Sequence, residues 1–428
     1  MESRLTDVRA KLPTAGSASP TGEPRLCLLL ETYYPEIGGG ETQGRLLAEG
    51  LAERGIRVTV MTRRSERNLA RRETVSGVSV RRLGPAGRGR LRKWGLLFTV
   101  PPALVAARGS CDVLLVAGFR ILGLPAVLTG KAFGKACLLK AESNGEMSGA
   151  FFGPGVERWG LSTSFPLIRL LLKGRNAILR RADAFVSLSS EIASELREGG
   201  VPPAKTLTIP NGVDIERFRP VEEAEKRVLR IRLGLPSDAP VAVYSGRLVR
   251  YKGLPSLLRA WHRIVSRHPA ARLLLVGAGG ADLHNCEEEL RRYVEETGLR
   301  ESVVFTGFVE RVEPWLQAAD VFVFPTEEEA FGIALVEAMA CGLPIVTTWT
   351  GGVRDIITRD HDALVVEPGL PDPLAEAIDR LLTDPTLAAR LGSEARRTAT
   401  GRFSRDAVVS RYAQLIRDRA ARVGREPR

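Results

Sequence analysis

Short, continuously apolar segments of strand length recur through both halves of the chain, and amphipathic segments separate them. Segments such as CLLLE, RLLLVG and VFVFP lack the alternation of a strand with one wet face, so we expect them to be covered on both faces. Strands of this kind that alternate with helices are typical of a parallel α/β sheet. The predicted strands are 26–30, 58–62, 113–116, 136–139 and 184–188 in the first half, and 241–244, 272–276, 303–306, 321–324, 345–347 and 363–366 in the second.

These two sets of strands predict two doubly wound domains. The chain has 428 residues, which is enough for two hydrophobic cores. The turn formers Pro210, Asn211 and Gly212 interrupt the pattern between the halves. We expect a disordered tail over residues 1–24, a Rossmann-like domain over 25–207, a linker over 208–220, a second Rossmann-like domain over 221–400, and a C-terminal helix with a polar tail over 401–428.

The sequence gives little indication of a membrane-spanning segment, a secretory signal or a set of disulfides. The longest nearly uncharged stretch, Trp94 to Ala107, contains two prolines and is shorter than the roughly 20 residues that a membrane-spanning helix needs. The first 24 residues include early acidic side chains and no apolar core, so they do not match a secretory signal. The five cysteines show no CxxC spacing. We therefore expect a cytoplasmic protein with neither a disulfide framework nor a cysteine metal site.

The excess positive charge lies in the first half. Residues 1–210 contain 31 Lys and Arg against 18 Asp and Glu, whereas residues 211–428 contain 31 against 32. The densest part, residues 63–93, has eleven basic side chains and only Glu66 and Glu73 as acids. Such a patch attracts polyanions or anionic lipid. A solvated, arginine-rich surface is the competing interpretation.

Two loops that follow predicted strands have the chemistry of phosphate sites. The three glycines Gly38–Gly40 open a helix whose N-terminal N–H groups attract anions. After strand 241–244, Arg247 and Lys252 precede another helix, so two cations and a helix N-terminus can converge on a diphosphate. Each loop taken alone also fits ordinary packing or exposed cations.

The most specific element is the segment PTEEEAFGIALVEAMACGLPIV. Glu329 precedes an apolar helix, and Glu337 lies about one turn inside it. The amides of Phe331, Gly332 and Ile333 become helix N-terminal donors suited to phosphate, while the two carboxylates can accept hydrogen bonds from sugar hydroxyls. A glutamate in an otherwise apolar helix is costly unless it is paired, so Glu337 needs a partner. An acidic loop beside a structural glutamate explains the pattern less well.

Together these segments resemble the retaining glycosyltransferases of the GT-B fold, specifically glycosyltransferase family 4. The resemblance covers about residues 25–420 and rests on the order of PEIGGGE, IPNGVD, GRLVRYKG, FTGFVERVEPWLQAADVFVFPT, EAFGIALVE, EAMACGLPIVTT and ALVVEPG. It implies an α/β fold of two facing Rossmann-like domains with a cleft between them, the donor bound mainly to the second domain and the acceptor mainly to the first. It also implies transfer of a sugar from a nucleotide-diphosphate sugar to an acceptor hydroxyl, with retention of configuration and without a metal or other cofactor.

The resemblance further implies roles for single residues. Arg247 and Lys252 are expected at the donor diphosphate, with Gly39 opposite them across the cleft. Glu337 is expected to hold the ribose hydroxyls and Glu329 to contact the transferred sugar. Arg247, Lys252 and the backbone donors would stabilise the departing phosphate as negative charge develops. The remaining expected donor contacts are the backbone N–H groups of Phe331, Gly332 and Ile333.

One segment departs from the family pattern. Members commonly have a histidine just after the fourth strand of the first domain, but here the segment is CLLKAESNGEMSGAFFG, and all four histidines lie in the second half. Glu142, Ser143 or Asn144 can occupy that place. We take Glu142 as the candidate catalytic residue, with a solvated loop acid as the alternative.

Two other functions remain as alternatives. A sucrose- or trehalose-synthase-like or phosphorylase-like member would share the fold and the pair of glutamates. A polyanion-binding protein with a vestigial donor site would explain the basic half. The chain has no basic strand interleaved with aromatic residues and no recognition helix, so we expect no nucleic-acid partner.

Basic residues adjoin apolar segments at 94–107 and 165–181, where Leu167, Leu170 and Leu171 share a helical spacing. This arrangement predicts peripheral contact with an anionic membrane, at its inner face, which would present a lipid-linked acceptor or a polysaccharide precursor to the cleft. Two core helices with a fringe of arginines are the alternative.

Overall fold

Two sheets, one in each half of the chain, organise the fold. The computed structural model describes residues 23–87, 89, 94–150 and 165–423. The elements of the first half are β1 (Arg25–Leu30), α1 (Gly39–Glu53), β2 (Arg57–Arg63), β3 (Arg72–Val75), β4 (Val78–Leu83), α2 (Leu96–Ala107), β5 (Val113–Ala117), α3 (Phe119–Ala132), β6 (Ala136–Lys140), α4 (Pro166–Leu179), β7 (Ala184–Ser187), α5 (Ser190–Glu198) and β8 (Thr206–Thr208).

The elements of the second half follow the same alternation. They are α6 (Glu223–Arg232), β9 (Val241–Ser245), α7 (Leu254–Arg267), β10 (Arg272–Val276), α8 (Glu287–Glu296), β11 (Val303–Gly307), α9 (Glu313–Gln317), β12 (Val321–Phe324), α10 (Ile333–Ala340), β13 (Ile345–Thr348), α11 (Val353–Ile356), β14 (Leu364–Val366), α12 (Pro371–Thr383), α13 (Pro385–Phe403) and α14 (Arg405–Val423).

The sheet orders are those of doubly wound α/β domains. The first sheet has eight strands in the order β3-β4-β2-β1-β5-β6-β7-β8, and its strands pair in parallel except for the antiparallel β3 and β4. The second has six parallel strands in the order β11-β10-β9-β12-β13-β14. The apolar side chains of β1 are almost completely buried, as expected for a central strand with helices on both faces. The predicted fold class is confirmed.

All eleven predicted strands are present, with ends that agree to within one residue. The sequence reasoning missed β3, β4 and β8. Strands β3 (RETV) and β4 (VSVRRL) lack a continuous apolar run because arginine and serine occupy alternate positions, and β8 has only three residues. Arg82 on β4 is nevertheless buried, since its guanidinium pairs with Glu73 at 2.6 Å.

The chain crosses between the two domains twice, and the two crossings are hydrogen-bonded to each other. Val213 donates its N–H to the carbonyl of Phe403 at 2.8 Å and accepts from the N–H of Arg405 at 2.8 Å. Beside them, the buried Gln43 side chain accepts from the N–H of Gly212 at 3.0 Å and donates to its carbonyl at 2.8 Å. These bonds attach the linker to α1 of the first domain.

The last helix, α14, returns to the first domain after the second crossing. Val409, Tyr412 and Ile416 of α14 are buried in the core that contains β1 and α1. A Cβ on Gly50 would lie 2.7 Å from Val409, so the glycine permits close packing of α1 and α14. The predicted disordered tail, residues 1–24, lies outside the described residues except for Glu23 and Pro24.

The two segments proposed for membrane contact differ in burial. Helix α2 buries Leu96, Val100 and Leu104, although Phe98 remains 80% exposed. Helix α4 buries only Leu179. Because Leu170 is 66% exposed, the alternative of a core helix is wrong for α4. Among the described residues, we find no helix that is long and apolar enough to cross a membrane.

Candidate active site

The N-termini of two helices meet across the cleft between the domains. Gly39 begins α1 directly after the loop that follows β1, and Gly332 precedes α10 with a φ of +107°, a conformation that favours glycine. A Cβ on Gly39 would lie 3.2 Å from Cδ1 of Ile333, so the two helix starts are in close contact. The positive ends of both helix dipoles therefore converge at one place.

Lys252 and Glu329 form an ion pair beside this contact. Lys252 Nζ lies 2.8 Å from Oε2 of Glu329 and also donates to the carbonyl of Glu328 at 3.2 Å. Their side chains are only 11% and 15% exposed. The sequence analysis assigned these residues to different parts of the donor, whereas the structure makes them direct partners. These hydrogen bonds fix the position of the Lys252 ammonium group beside the start of α10.

Arg247 is the more exposed of the two predicted diphosphate ligands, with a side chain that is 60% exposed. Its guanidinium pairs with Asp282 and donates to the hydroxyl of Tyr251 at 2.7 Å. Lys252 Nζ lies 5.3 Å from the centre of the same Tyr251 ring. Tyr251 thus lies between the two cations and brings them to the same edge of the second sheet.

Glu337 opens onto a cavity of about 360 Å³ between the domains. Ile37 and Glu41 line this cavity from the first domain, and Arg217 and Glu310 line it from the second. Among the described residues, we find no hydrogen-bond partner for the Glu337 carboxylate. The partner that the sequence analysis required is therefore missing, and the carboxylate faces a space that both domains enclose.

Burial raises the pKa of Glu337 from its ordinary value of 4.5 to about 8. The nearby Arg217 lowers the pKa and Glu313 raises it, but desolvation is the largest cause. A half-buried carboxyl group without a partner is costly to ionise. A ligand that donates hydrogen bonds to it would remove part of that cost.

Glu142 lies at the other side of the glycine loop, two residues after β6. Its Oε2 would be 3.2 Å from a Cβ on Gly40 and 3.6 Å from one on Gly118, so two glycines leave room for it. Its Oε1 lies 3.1 Å from Nζ of Lys140, which also donates to the side chain of Asn211 at 3.2 Å. This places the carboxylate in the cleft and links it to the interdomain linker.

The sequence analysis missed Lys140, although a lysine at the end of a buried strand is itself a signal because it needs a partner. It also missed Glu146, which accepts hydrogen bonds from the backbone N–H groups of Phe119 at 2.7 Å and Glu142 at 3.0 Å. Burial raises the pKa of Glu146 to about 7. Together with Glu195, which accepts from three backbone N–H groups of the same loop, Glu146 positions the segment that contains Glu142.

The structure therefore brings the predicted residues to one interdomain cleft, in three groups. Gly39 contacts the start of α10. Lys252 pairs with Glu329, and Tyr251 lies between Lys252 and Arg247. Glu337 lies about one turn inside α10. The described residues include no direct hydrogen bond between Glu142 and the candidates of the second domain. Ser143 donates to Glu146, while Asn144 bonds to Glu191.

The cysteines and the acidic side chains outside the cleft have the following surroundings. All five cysteines are buried free thiols. Within residues 23–87, 89, 94–150 and 165–423, no group of three or more His, Cys, Asp or Glu side chains is arranged to hold a metal ion. The segment Asp360–Asp362 has two acidic side chains one residue apart. Its Asp362 carboxylate accepts hydrogen bonds from Thr358 and Thr398.

Two family models match the chain. The model described as "Glycosyl transferases group 1" matches residues 225–398, and the "Glycosyl transferase 4-like domain" matches residues 38–212. The chain is 30% identical over 413 residues to D-inositol 3-phosphate glycosyltransferase 1 of Catenulispora acidiphila, a match that covers 91% of this chain and 94% of that protein. Matches to further enzymes named D-inositol 3-phosphate glycosyltransferase span 57–61% of those proteins.

Two other relatives are informative. GDP-mannose-dependent monoacylated alpha-(1-6)-phosphatidylinositol monomannoside mannosyltransferase of Corynebacterium glutamicum is 33% identical over 217 residues, which cover 49% of this chain and 55% of that protein. The structure of sucrose-phosphate synthase from Thermosynechococcus elongatus superposes with a TM-score of 0.78 at 27% identity, covering 94% of this chain and 100% of that one. The chain belongs to the group 1 glycosyltransferase family and has its GT-B fold.

The raised pKa of Glu337 predicts a pH-dependent effect on stability. Between about pH 4.5 and 8 the folded protein keeps a proton on Glu337 that the unfolded chain has lost, so the free energy of unfolding falls as pH rises through this range. Replacement Glu337→Gln removes this pH dependence, because a glutamine side chain does not ionise. We expect the variant to gain about 4 kcal/mol over the wild type between pH 5 and pH 8.5.

Thermal melts at several pH values measure this gain. The surface replacement Glu288→Gln on α8 is the control, because Glu288 is exposed and should leave the pH profile unchanged. A difference between Glu337→Gln and wild type that stays constant from pH 5 to pH 8.5 would contradict the prediction.

Proposed function

We propose that the protein transfers a sugar from a nucleotide-diphosphate sugar to an acceptor hydroxyl, with retention of anomeric configuration and without a metal. The bond between the anomeric carbon and the diphosphate oxygen breaks, and the diphosphate leaves with the electron pair. The acceptor oxygen bonds to the anomeric carbon on the face that the diphosphate leaves, and its proton passes to an oxygen of the leaving diphosphate. The observation that most supports this proposal is the convergence of two helix N-termini with Lys252 and Arg247 in one cleft.

The leaving diphosphate is the group that these positive charges suit best. Negative charge grows on it as the glycosidic bond breaks, and fixed donors at that place lower the barrier without reorganisation. Lys252 is already oriented by Glu329 at 2.8 Å. The N–H groups at the start of α10 and α1 add partial positive charge from opposite sides. These protein groups would do the electrostatic work for which other transferases use a metal.

The positions of Glu337 and Glu329 indicate the remaining contacts with the nucleotide sugar. Glu337 faces the interdomain cavity and has no hydrogen-bond partner among the residues that the structure describes, so the vicinal hydroxyls of a ribose are suitable donors to it. Glu329 lies in the loop before α10, beside Lys252, where its second oxygen can meet the transferred sugar. A donor held in this way spans the cleft and contacts Gly39 in the first domain.

The relatives suggest candidate donors and acceptors. The Corynebacterium glutamicum enzyme is named for GDP-mannose, which supports a nucleotide sugar as the donor class. The Catenulispora acidiphila enzyme is named for D-inositol 3-phosphate, an acceptor with a phosphate. A second candidate function, synthesis of a sucrose-phosphate-like product, is favoured by the TM-score of 0.78 with sucrose-phosphate synthase.

Donor binding should depend on Lys252. We expect one class among UDP-, GDP- and ADP-sugars to raise the melting temperature of the protein in the presence of a chelator, since a ligand that binds only the folded state stabilises it. Lys252→Met should weaken that binding by about tenfold or more, because a charge-assisted hydrogen bond to phosphate is lost. Thermal shift titrations with each nucleotide sugar measure both the rise in melting temperature and the change in donor affinity.

The matched control is Lys135→Met in the first domain, because we find no contact of Lys135 with the cleft candidates in the described part of the chain. Donor binding that requires added Mg²⁺, or that is equal in Lys252→Met and wild type, would overturn the proposed diphosphate site. With a productive acceptor, the anomeric coupling constant of the product in NMR tests retention against inversion.

Glu142 is the proposed catalytic carboxylate. We expect Glu142→Gln to lower kcat by about 100-fold while donor affinity changes less than about threefold, since the carboxylate lies on the acceptor side of the glycine loop. Glu198→Gln, an exposed acid on α5, is the control. Unchanged kcat in Glu142→Gln would remove this residue from the mechanism.

We also propose that α4 contacts the surface of an anionic membrane. Leu167, Leu170 and Leu171 are 58%, 66% and 65% exposed. The segment from Pro166 to Arg181 contains basic residues and no acid. An apolar ridge flanked by cations fits the interface of an anionic bilayer. Such contact would place a lipid-linked acceptor near the first domain.

Vesicle co-sedimentation tests the membrane contact. We expect binding to phosphatidylglycerol-rich vesicles, and we expect Leu170→Ser with Leu171→Ser to reduce it about fivefold or more, because apolar burial in the interface is lost. The control replaces Ile231 and Leu283 of the second domain, which are 71% and 70% exposed, by serine. Equal binding by both double variants would contradict the assignment to α4.

A further inference from the structure

Five arginines line one cavity in the first domain, away from the donor residues. The cavity has a volume of about 390 Å³ and is closed below by residues 83–86, which follow β4. Its basic lining consists of Arg64, Arg71, Arg72, Arg81 and Arg82. We propose that this cavity binds a phosphate group of the acceptor, so that the protein glycosylates a phosphorylated molecule. The inference rests on the proposed transferase function only in calling the ligand the acceptor.

The arginines are held close together by the fold. Strands β3 and β4 pair so that Arg72 stands directly opposite Arg81. Like charges in directly opposed positions destabilise a sheet. Arg81 is further fixed by donation to the carbonyl of Ala103 on α2, at 3.3 Å. An anion in the cavity would relieve the repulsion that this register creates.

Protein groups neutralise little of this charge. Arg82 pairs with Glu73 and has a side chain that is only 1% exposed, so it forms a fixed wall. Arg64 donates to backbone carbonyls rather than to an acid. The side chains of Arg71 and Arg72 are exposed, and within the described residues we find no hydrogen bond or ion pair for either. These two guanidiniums are therefore available to a ligand.

The cavity lies beside the cleft. Arg82 donates to the carbonyl of Tyr34 at 2.6 Å. Tyr34 belongs to the loop between β1 and α1, and it also lines the interdomain cavity that contains Glu337. Arg82 thus connects the wall of the arginine cavity to a residue that lines the interdomain cavity. A molecule with its phosphate among the arginines can extend from there toward the glycine loop.

A phosphate fits this lining better than a carboxylate does. Guanidinium groups bind phosphate oxygens in pairs of parallel hydrogen bonds, and a doubly charged phosphate can engage several of them at once. The volume exceeds that of a phosphate alone and leaves room for an attached polyol or headgroup. Both a soluble phosphate ester and a phospholipid headgroup offer this chemistry.

The test uses the full chain with Arg71→Ala and Arg72→Ala combined. These side chains are exposed and without protein partners among the described residues, so the melting temperature should be retained. Soluble D-inositol 3-phosphate is measured by calorimetry, and vesicles of phosphatidylglycerol with phosphatidylcholine are measured by co-sedimentation. We expect at least one probe to bind the wild type and to lose about tenfold or more in affinity in the double variant.

The control double variant, Arg197→Ala with Arg232→Ala, removes the same number of charges from exposed positions elsewhere and should bind like wild type. If the cavity variant loses affinity for D-inositol 3-phosphate, the ligand is a free phosphate ester. If it loses affinity for the vesicles alone, the ligand is a lipid phosphate. Wild-type affinity in the cavity variant, an equal loss in the control, or no binding of either probe to wild type would overturn the proposal. The melting temperatures of the same variants with nucleotide sugars measure donor binding separately. A failure of the proposed transferase function can therefore be distinguished from a failure of the proposed phosphate cavity.

Discussion

The arrangement of the cleft depends on the pair of chain crossings at Val213 and Ser404. Backbone hydrogen bonds of 2.8 Å join the two crossings, and the Gln43 side chain attaches them to α1. Because α14 then buries its apolar face in the first domain, each domain is attached to the other at two points of the chain. This connection sets the carboxyl edges of the two sheets opposite each other, so that Gly39 meets Ile333. The donor site proposed between the two domains depends on that contact.

Electrostatics explains why the cleft holds so many charged groups that a stable core would avoid. Lys252 is compensated by Glu329, and Lys140 is compensated by Glu142 and Asn211. These pairs keep semi-buried charges in fixed positions, where they are available to a substrate. Within the described part of the chain, the Glu337 carboxylate has no hydrogen-bond partner, and burial raises its pKa to about 8 despite the nearby Arg217. A site that is costly in the free protein and favourable with a ligand is typical of a place where binding matters more than stability.

The sequence predicted the strands well where both faces are buried, and poorly where arginine replaces an apolar residue. Strand β4 illustrates the difference. Val78 and Val80 are buried like other core residues, but Arg81 and Arg82 interrupt the apolar run by which a buried strand is predicted. The donor candidates were predictable because they follow strands in sequence, where parallel sheets place their ligand sites. Lys140 and Glu146 were not, because their roles arise from contacts with residues far away in the chain, such as Asn211 and Phe119.

The sequence by itself determined the class of fold, the approximate limits of both sheets and the identity of the donor candidates, because buried parallel strands and glycine-opened helices leave local patterns. Only the tertiary structure decided how these parts act on one another. It paired Lys252 with Glu329, left Glu337 facing an interdomain cavity, exposed the leucines of α4, and gathered five arginines from separate segments around one cavity. Such arrangements depend on register and on the packing of distant elements, and neither can be read from the order of residues alone.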